Sequence, residues 1–316
     1  MLDVAFVVNH GSNDARAIAS EVTAAGLAES GVLAGLVHTA VESKVIVVSA
    51  PVSEAWLSEL VQRYPKSKIV IWNHTCFGVL SREILASTLE YVSLTLEYSN
   101  LYVGVVKPNV ETALRSALGT NKIVWLPSVY RCQFHEQHTW IKPGEIHVGL
   151  LGAFSVVKNQ FASFLAAKLL ADRFQRELIV HMPAGHSEGR QGALEIEDNL
   201  VELASASRVQ LIRVPCAPWE SFKCEIENVD IMFNCSYTEA LQLLTADGIS
   251  VGTSSVVSGA IPYAPQGWIA NPDSPVDMAS VARRNIMEPW QMRLAYGSLI
   301  SYSKNSADRW KQFLTL

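Results

Sequence analysis

Four short polar stretches follow runs of apolar residues in this 316-residue chain, and each carries side chains suited to binding or proton transfer. Asn9-His10-Gly11-Ser12 comes first. A glycine there lets the backbone approach a ligand closely, and the next helix start favours a negative charge beside Gly11 and Ser12, leaving His10 for a second substrate. The pattern is not G-x-G-x-x-G, so it gives poor support to a dinucleotide site. In the second stretch, Asn73-His74-Thr75, His74 is able to hydrogen-bond a substrate hydroxyl or move its proton, with Asn73 beside it. The third runs from Gly152 to Asn159, where Ser155 can cap a helix and Lys158 stands near its start, a natural clamp for a diphosphate. The fourth is Ser236-Tyr237-Thr238-Glu239, with a carboxylate able to accept hydrogen bonds from sugar hydroxyls. Each has a plainer structural reading: a tight turn, a core histidine, a solvated lysine, and a carboxylate that steadies its own helix dipole.

The elements that must position these groups show in the pattern around them. Residues 4–8, 45–48, 69–72, 102–106 and 123–125 are nearly continuous apolar, β-branched runs, as strands buried on both faces should be. Helical patterns lie between them, over 13–28, 53–64 with Ser53 as a cap, 81–93 and 110–118. Residues 130–145 break the alternation and end in Lys142-Pro143-Gly144, so they read as a linker. The alternation restarts with strands at 146–151, 177–181, 209–214, 230–234 and 249–252, and helices at 159–174, 195–205 and 238–247. Thr238 or Ser236 would start the last of these helices, placing Glu239 in its first turn, and Gly248 would close it. From Pro275 onward the chain reads as helical, broken at Pro289. The expected fold is α/β, with two doubly wound parallel-sheet domains facing a cleft: 1–129, a linker 130–145, and 146–316 with the terminal helices.

Composition narrows the setting. Hydrophobic residues make up 49% and charged residues 17%, ample for two cores, and the net charge of −5 gives no general attraction for nucleic acid or anionic membrane. The five cysteines have no metal or redox spacing and read as small apolar residues in a reducing compartment. The first residues read as a core strand rather than a signal peptide, and no apolar run is long enough to span a bilayer, so a cytoplasmic protein with no stable membrane anchor is expected.

The second half resembles the nucleotide-sugar-binding domain of retaining GT-B glycosyltransferases, of the family 4-like type. In VGLLGAFSVVKNQ, Gly152 and Lys158 match that family's glycine and the lysine six positions later, with Ala153 in place of its arginine. In VDIMFNCSYTEALQLLTADGISVGTSS, Ser236 and Glu239 match its Ser-x-x-Glu, and Gly248 is set against its next glycine. GWIANPDSP at 267–275 and LPSV at 126–129 are similar to two further segments, although the first half resembles the family weakly. The family has a second acid eight positions after Glu239, where this chain has Asp247. It also places that acid five before the glycine, which from Gly248 falls on Leu243.

The resemblance implies transfer of a sugar from a nucleotide diphosphate sugar, a UDP-sugar for instance, with retention and without a required cofactor or metal. With the loop reading above, the expected donor-binding residues are Gly11, Ser12, Gly152, Ser155, Lys158, Gly185, Thr238, Glu239 and Ala240. From their strand-terminal positions, His10 and Asn73 would bind the acceptor, and His74 would act in catalysis with Glu239. The acceptor stays open among a sugar, a protein and a modified DNA base. A non-catalytic two-domain sugar or nucleotide binder and a nucleotide-sugar epimerase of similar fold are the alternatives.

Overall fold

The computed structural model describes residues 2–8, 15–74, 82–131, 133–136, 142–184, 193–215 and 218–316. The chain forms two compact units, Met1–Arg131 with Ser301–Leu316, and Cys132–Ile300.

In the first unit, strands β1 (Leu2–Val7), β2 (Ala34–Val37), β3 (Ser43–Ser49), β4 (Lys68–Asn73), β5 (Leu101–Val105) and β6 (Ile123–Trp125) alternate with helices α1 (Ala15–Glu29), α2 (Glu54–Arg63), α3 (Arg82–Glu97) and α4 (Pro108–Leu118). The sheet is wholly parallel, in the order β2-β1-β3-β4-β5-β6. Its apolar strands are covered on both faces, which is why Val45, Ile46, Ile69, Val70 and Ile71 are fully buried. The Ser53 hydroxyl accepts from the Trp56 N–H at 3.4 Å and starts α2, whose Leu57, Leu60 and Val61 pack on the sheet. The edge strand β2 was not legible beforehand. It is four residues long, half exposed and includes a glycine, so it lacks a long apolar run.

In the second unit, β7 (Glu145–Gly149), α5 (Gln160–Phe174), β8 (Glu177–Pro183), α6 (Ala193–Ala206), β9 (Gln210–Val214), α7 (Trp219–Ile226), β10 (Ile231–Asn234), α8 (Leu243–Val251) and β11 (Ser254–Val257) follow in order. This sheet is also parallel, in the order β11-β10-β7-β8-β9. One core joins Phe164, Ala167 and Leu170 of α5 to Ile146, Val148 and Val180 of the sheet and to Met278 and Ala282 of α9 (Pro275–Met287). The last helix, α10 (Gln291–Thr315), follows the break at Pro289, and its end belongs to the first unit. There Trp310 is fully buried, donates to the Pro127 carbonyl at 2.7 Å, and packs its ring against Phe6 and Trp72 at 5.6 and 5.8 Å. Among the described residues no helix is long and apolar enough to cross a membrane.

Two expected elements are displaced. The helix expected over 238–247 is α8, which starts at Leu243, and the strand expected over 249–252 is β11, which starts at Ser254. Residues 235–242 stay non-helical because partners distant in sequence hold their backbone. The Tyr237 N–H donates to the Val157 carbonyl at 2.8 Å, Ser258 donates to the Ser236 carbonyl, and Tyr263 donates to the Gln242 carbonyl. Such bonds outweigh the modest helix preference of these residues. Gly248 therefore lies inside α8, and the cap is Gly252, at φ 82° in the left-handed region with its N–H on the Gly248 carbonyl.

Gly252 and Gly119 both close helices at positive φ, yet their surroundings differ. A methyl on Gly252 would overlap the Glu136 carbonyl, whereas a methyl on Gly119 meets nothing within 4 Å. Gly119→Ala should cost about 1 kcal/mol, the conformational penalty alone, and Gly252→Ala should cost roughly 2 kcal/mol more, as backbone must shift. Urea unfolding of the two variants checks the difference, and equal losses would mean that the Glu136 segment yields freely.

Candidate functional site

The second sheet changes direction between β7 and β10, which pair in parallel through Val148 with Ile231 and Gly149 with Met232. Chains leaving these two strands run to opposite sides, so the loops beyond their carboxyl ends flank one crevice. Those loops are 150–159 and 235–242, the third and fourth of the polar stretches.

Loop 150–159 turns through Gly152 and a single 3-10 turn, Val156–Lys158, preceded by Ser155 in extended conformation. Ser155 makes no side-chain cap; its N–H points to Gln160 Oε1 at 3.4 Å, and Gln160 Nε2 donates to the Gly152 and Ala153 carbonyls at 3.2 and 2.9 Å. Lys158 thus stands just before α5, on a turn closed by Asn159 at φ 57°. Asn159 does not cap α5 with its side chain. Its amide donates to the Cys235 carbonyl at 3.3 Å and the Pro272 carbonyl at 2.6 Å, which ties one loop to the other.

The result is an ion pair across the switch point. Lys158 Nζ lies 2.7 Å from Glu239 Oε1, with Lys158 one quarter exposed and Glu239 only 6% exposed. The same Oε1 accepts from Gln242 Nε2 at 2.8 Å, and Gln242 is itself buried at the start of α8. Glu239 therefore does not sit in the first turn of a helix, as the sequence reading has it, but in the non-helical segment before one. Thr238 and Ala240 flank it, both half-buried. A methyl on Gly152 would touch only Leu244, at 3.6 Å, which places that glycine beside the first turn of α8. The positive end of the α8 dipole, the Lys158 ammonium and the Gly152 turn thus converge at the carboxyl edge of the sheet.

The cap at Gly252 also resolves the register of the second acid. Asp247 is eight positions after Glu239 and five before Gly252, so both spacings of the resembled family hold once Gly252 is taken as its glycine. Asp247 is buried within α8 and accepts from Trp219 Nε1 at 2.9 Å. Asn159 and Trp219 escape sequence reasoning because their contacts join segments far apart in the chain, whereas Gln242, three residues after Glu239, is close enough to be considered from sequence. Burial pushes the Cys235 thiol well above the usual range, so it is no nucleophile. Among the described residues no group of three His, Cys, Asp or Glu side chains is placed to hold a metal ion.

Of the other candidates, His10, Gly11, Ser12 and Gly185 lie outside the described residues. Asn73 ends β4, is buried, and donates from its amide to Thr88 Oγ1 of α3 at 3.0 Å, so that amide holds a helix. His74 follows it, half-buried, with its ring 4.2 Å from that of Trp72.

Beneath loop 150–159 a second polar cluster is built into the sheet. The Leu150 N–H donates to the His181 carbonyl at 2.8 Å, and the His181 and His147 rings meet at 2.8 Å, Nε2 to Nδ1. His147 Nε2 lies 3.0 Å from Glu145 Oε2. A carboxylate only accepts, so His147 donates from Nε2 to Glu145, and its Nδ1 shares a hydrogen bond with His181 Nε2. His181 Nδ1 is left buried without a hydrogen-bond partner. Desolvation, helped by the nearby His147 and Lys142, pushes the His181 pKa down to about 4.

No protein-family model matches the chain, and no curated protein matches it. Solved structures do. The apo structure of OtsA superimposes with a TM-score of 0.63 at 11% identity, over 86% of this chain and 73% of that one. An α,α-trehalose-phosphate synthase (UDP-forming) from Burkholderia xenovorans, in complex with glucose-6-phosphate, gives 0.62 at 12% identity over 87% and 74%. A single-residue mutant of TarM from S. aureus, in complex with fondaparinux, α-GlcNAc-glycerol and UDP, gives 0.62 at 9% over 86% of this chain and 55% of its own. These are GT-B glycosyltransferases, and the fold of this chain is GT-B-like, with two Rossmann-like parallel-sheet domains.

His181 sets a pH dependence. The unfolded chain protonates His181 near pH 6.5 and the folded protein only near 4. Between those values the unfolded state binds more protons. Stability is therefore undiminished above 6.5 and falls as pH drops toward 4, by about 3 kcal/mol in total at 1.36 kcal/mol per unit. His181→Gln keeps a donor for His147 and does not titrate, so its urea midpoint should fall less steeply over this window. The same slope in both proteins would remove His181 as the cause.

Proposed function

We propose that this chain is a glycosyltransferase that takes its sugar from a nucleoside diphosphate donor held at the β7–β10 switch point. The observation that carries the reading is the meeting of Lys158 with Glu239, at 2.7 Å, beside the N-terminus of α8. The trehalose-phosphate synthases of the same fold are UDP-forming, and one is bound with UDP-2-fluoro glucose, which supports a UDP-sugar as donor.

The chemistry asks for positive charge near the leaving group. The bond from the anomeric carbon to the diphosphate oxygen breaks, its electron pair stays on the diphosphate, and the acceptor oxygen bonds the carbon and passes its proton to the departing diphosphate. The diphosphate gains charge as this happens, so a fixed ammonium and a helix N-terminus stabilise the transition state more than the ground state. Lys158 and α8 supply both, and the proposed reaction needs no metal for this purpose. Glu239 would accept from hydroxyls of the donor sugar, and Asp247 from the nucleoside. Transfer with retention is the outcome proposed, by likeness to retaining enzymes of this fold. The glucose-6-phosphate and α-GlcNAc-glycerol bound to the compared structures favour a sugar-type acceptor. The first unit would hold it, with His74 on that side. Ala153, where the resembled family has arginine, favours a second reading, a donor binder with little or no turnover.

Two measurements test this. A panel of nucleotide sugars in a thermal-shift assay should raise Tm for at least one, and release of nucleoside diphosphate on adding acceptor separates transfer from binding. Lys158→Ala should weaken UDP binding about tenfold or more, since a charged hydrogen bond contributes roughly 1.5–3 kcal/mol, and leave uridine binding unchanged. Equal calorimetric losses for both ligands would show that Lys158 does not meet phosphate.

A further inference from the structure

Glu239 is poorly placed to be only a passive acceptor. Its Oε1 takes both the Lys158 ammonium, at 2.7 Å, and the Gln242 amide, at 2.8 Å. Gln242 begins α8, and its carbonyl receives the Tyr263 hydroxyl, so the amide that holds Glu239 is itself fixed. The carboxylate is 6% exposed, and turning it away from Lys158 would bury a charge without its counter-ion. Any phosphate that takes Lys158 as its partner meets a carboxylate already bonded to that ammonium. Two negative groups around one partly buried cation, one of them the buried Glu239 carboxylate, repel more strongly than they would in water.

We propose that Glu239 competes with bound diphosphate for Lys158, and so discriminates the sugar-bearing donor from the bare diphosphate product. This rests on the donor-site reading above. With the sugar attached, its hydroxyls donate to Glu239 and offset the repulsion. Once the sugar has been transferred, no hydroxyl remains to satisfy the carboxylate. Glu239 then recovers Lys158, and the hold on the diphosphate weakens. The pair works as a built-in release device, and Glu239 is a specificity residue toward the form of the diphosphate.

The proposal reverses the usual sign of a binding-site mutation. Glu239→Gln keeps the shape and the contact to Gln242 but removes the charge, so it should bind inorganic pyrophosphate and UDP about tenfold more tightly than wild type by calorimetry. It should gain nothing for UDP-glucose. The double variant Glu239→Gln, Lys158→Met should lose the gain, because it acts through the ammonium. A merely structural glutamate would shift all three ligands in the same direction along with Tm. If wild type binds pyrophosphate and Glu239→Gln binds it no more tightly, or gains equally for UDP-glucose, the competition is overturned while the donor site stands. If no variant binds pyrophosphate or UDP, the donor-site reading falls with it.

Discussion

Strands β7 and β10 lie side by side although α5, β8, α6, β9 and α7 come between them in the chain. Parallel pairing of strands so distant in sequence is possible only because the first crossovers build the sheet to one side of β7 and the later ones to the other. Two loops then have no neighbouring strand between them, and both open at the carboxyl edge. Everything proposed for this protein depends on that pairing. Without it, Lys158 and Glu239 belong to separate loops with no reason to meet.

The pair itself is maintained by neutral groups. Asn159 reaches across to the Cys235 and Pro272 carbonyls from a left-handed backbone position, and Tyr237 bonds its N–H to Val157. Asparagine tolerates that conformation better than most residues, and its amide gives the loop its anchor. A buried ion pair is weak evidence for stability, since desolvation offsets most of the attraction. This pair lies at the carboxyl edge of the sheet and is partly open on the lysine side.

The two units share a plan and differ in how they are finished. The first keeps the middles of its strands apolar and receives the end of α10, where Trp310 completes a cluster with Phe6 and Trp72 and bonds the chain at Pro127. The second admits polar groups into the sheet itself, with the His147–His181 pair directly under loop 150–159. His181 resists protonation because it is desolvated there and its Nδ1 has no acceptor for a second proton.

Much of this was legible in the residues. Buried parallel strands must be apolar on both faces, so nearly all the strands stand out as runs, and Ser53, Lys158 and the break at Pro289 can be read from local chemistry. The alternation points to two doubly wound parallel-sheet domains, and the GT-B-like expectation comes from the resemblance of the second half to that family, carried by Gly152, Lys158, Ser236 and Glu239. Other features were beyond local reading. Thr238 looks like a helix cap and Gly248 like a helix end, yet α8 starts at Leu243 and ends at Gly252, because Val157, Ser258 and Tyr263 hold the backbone before it. That the terminal helices could reach back to the first half was readable, but not what holds them there: residues 301–316 belong to the first unit, where the Pro127 carbonyl and two aromatic rings hold Trp310. Periodicity reports which side of an element is covered. It carries no information on which distant carbonyl or ring does the covering, and that is what brought Lys158 to Glu239.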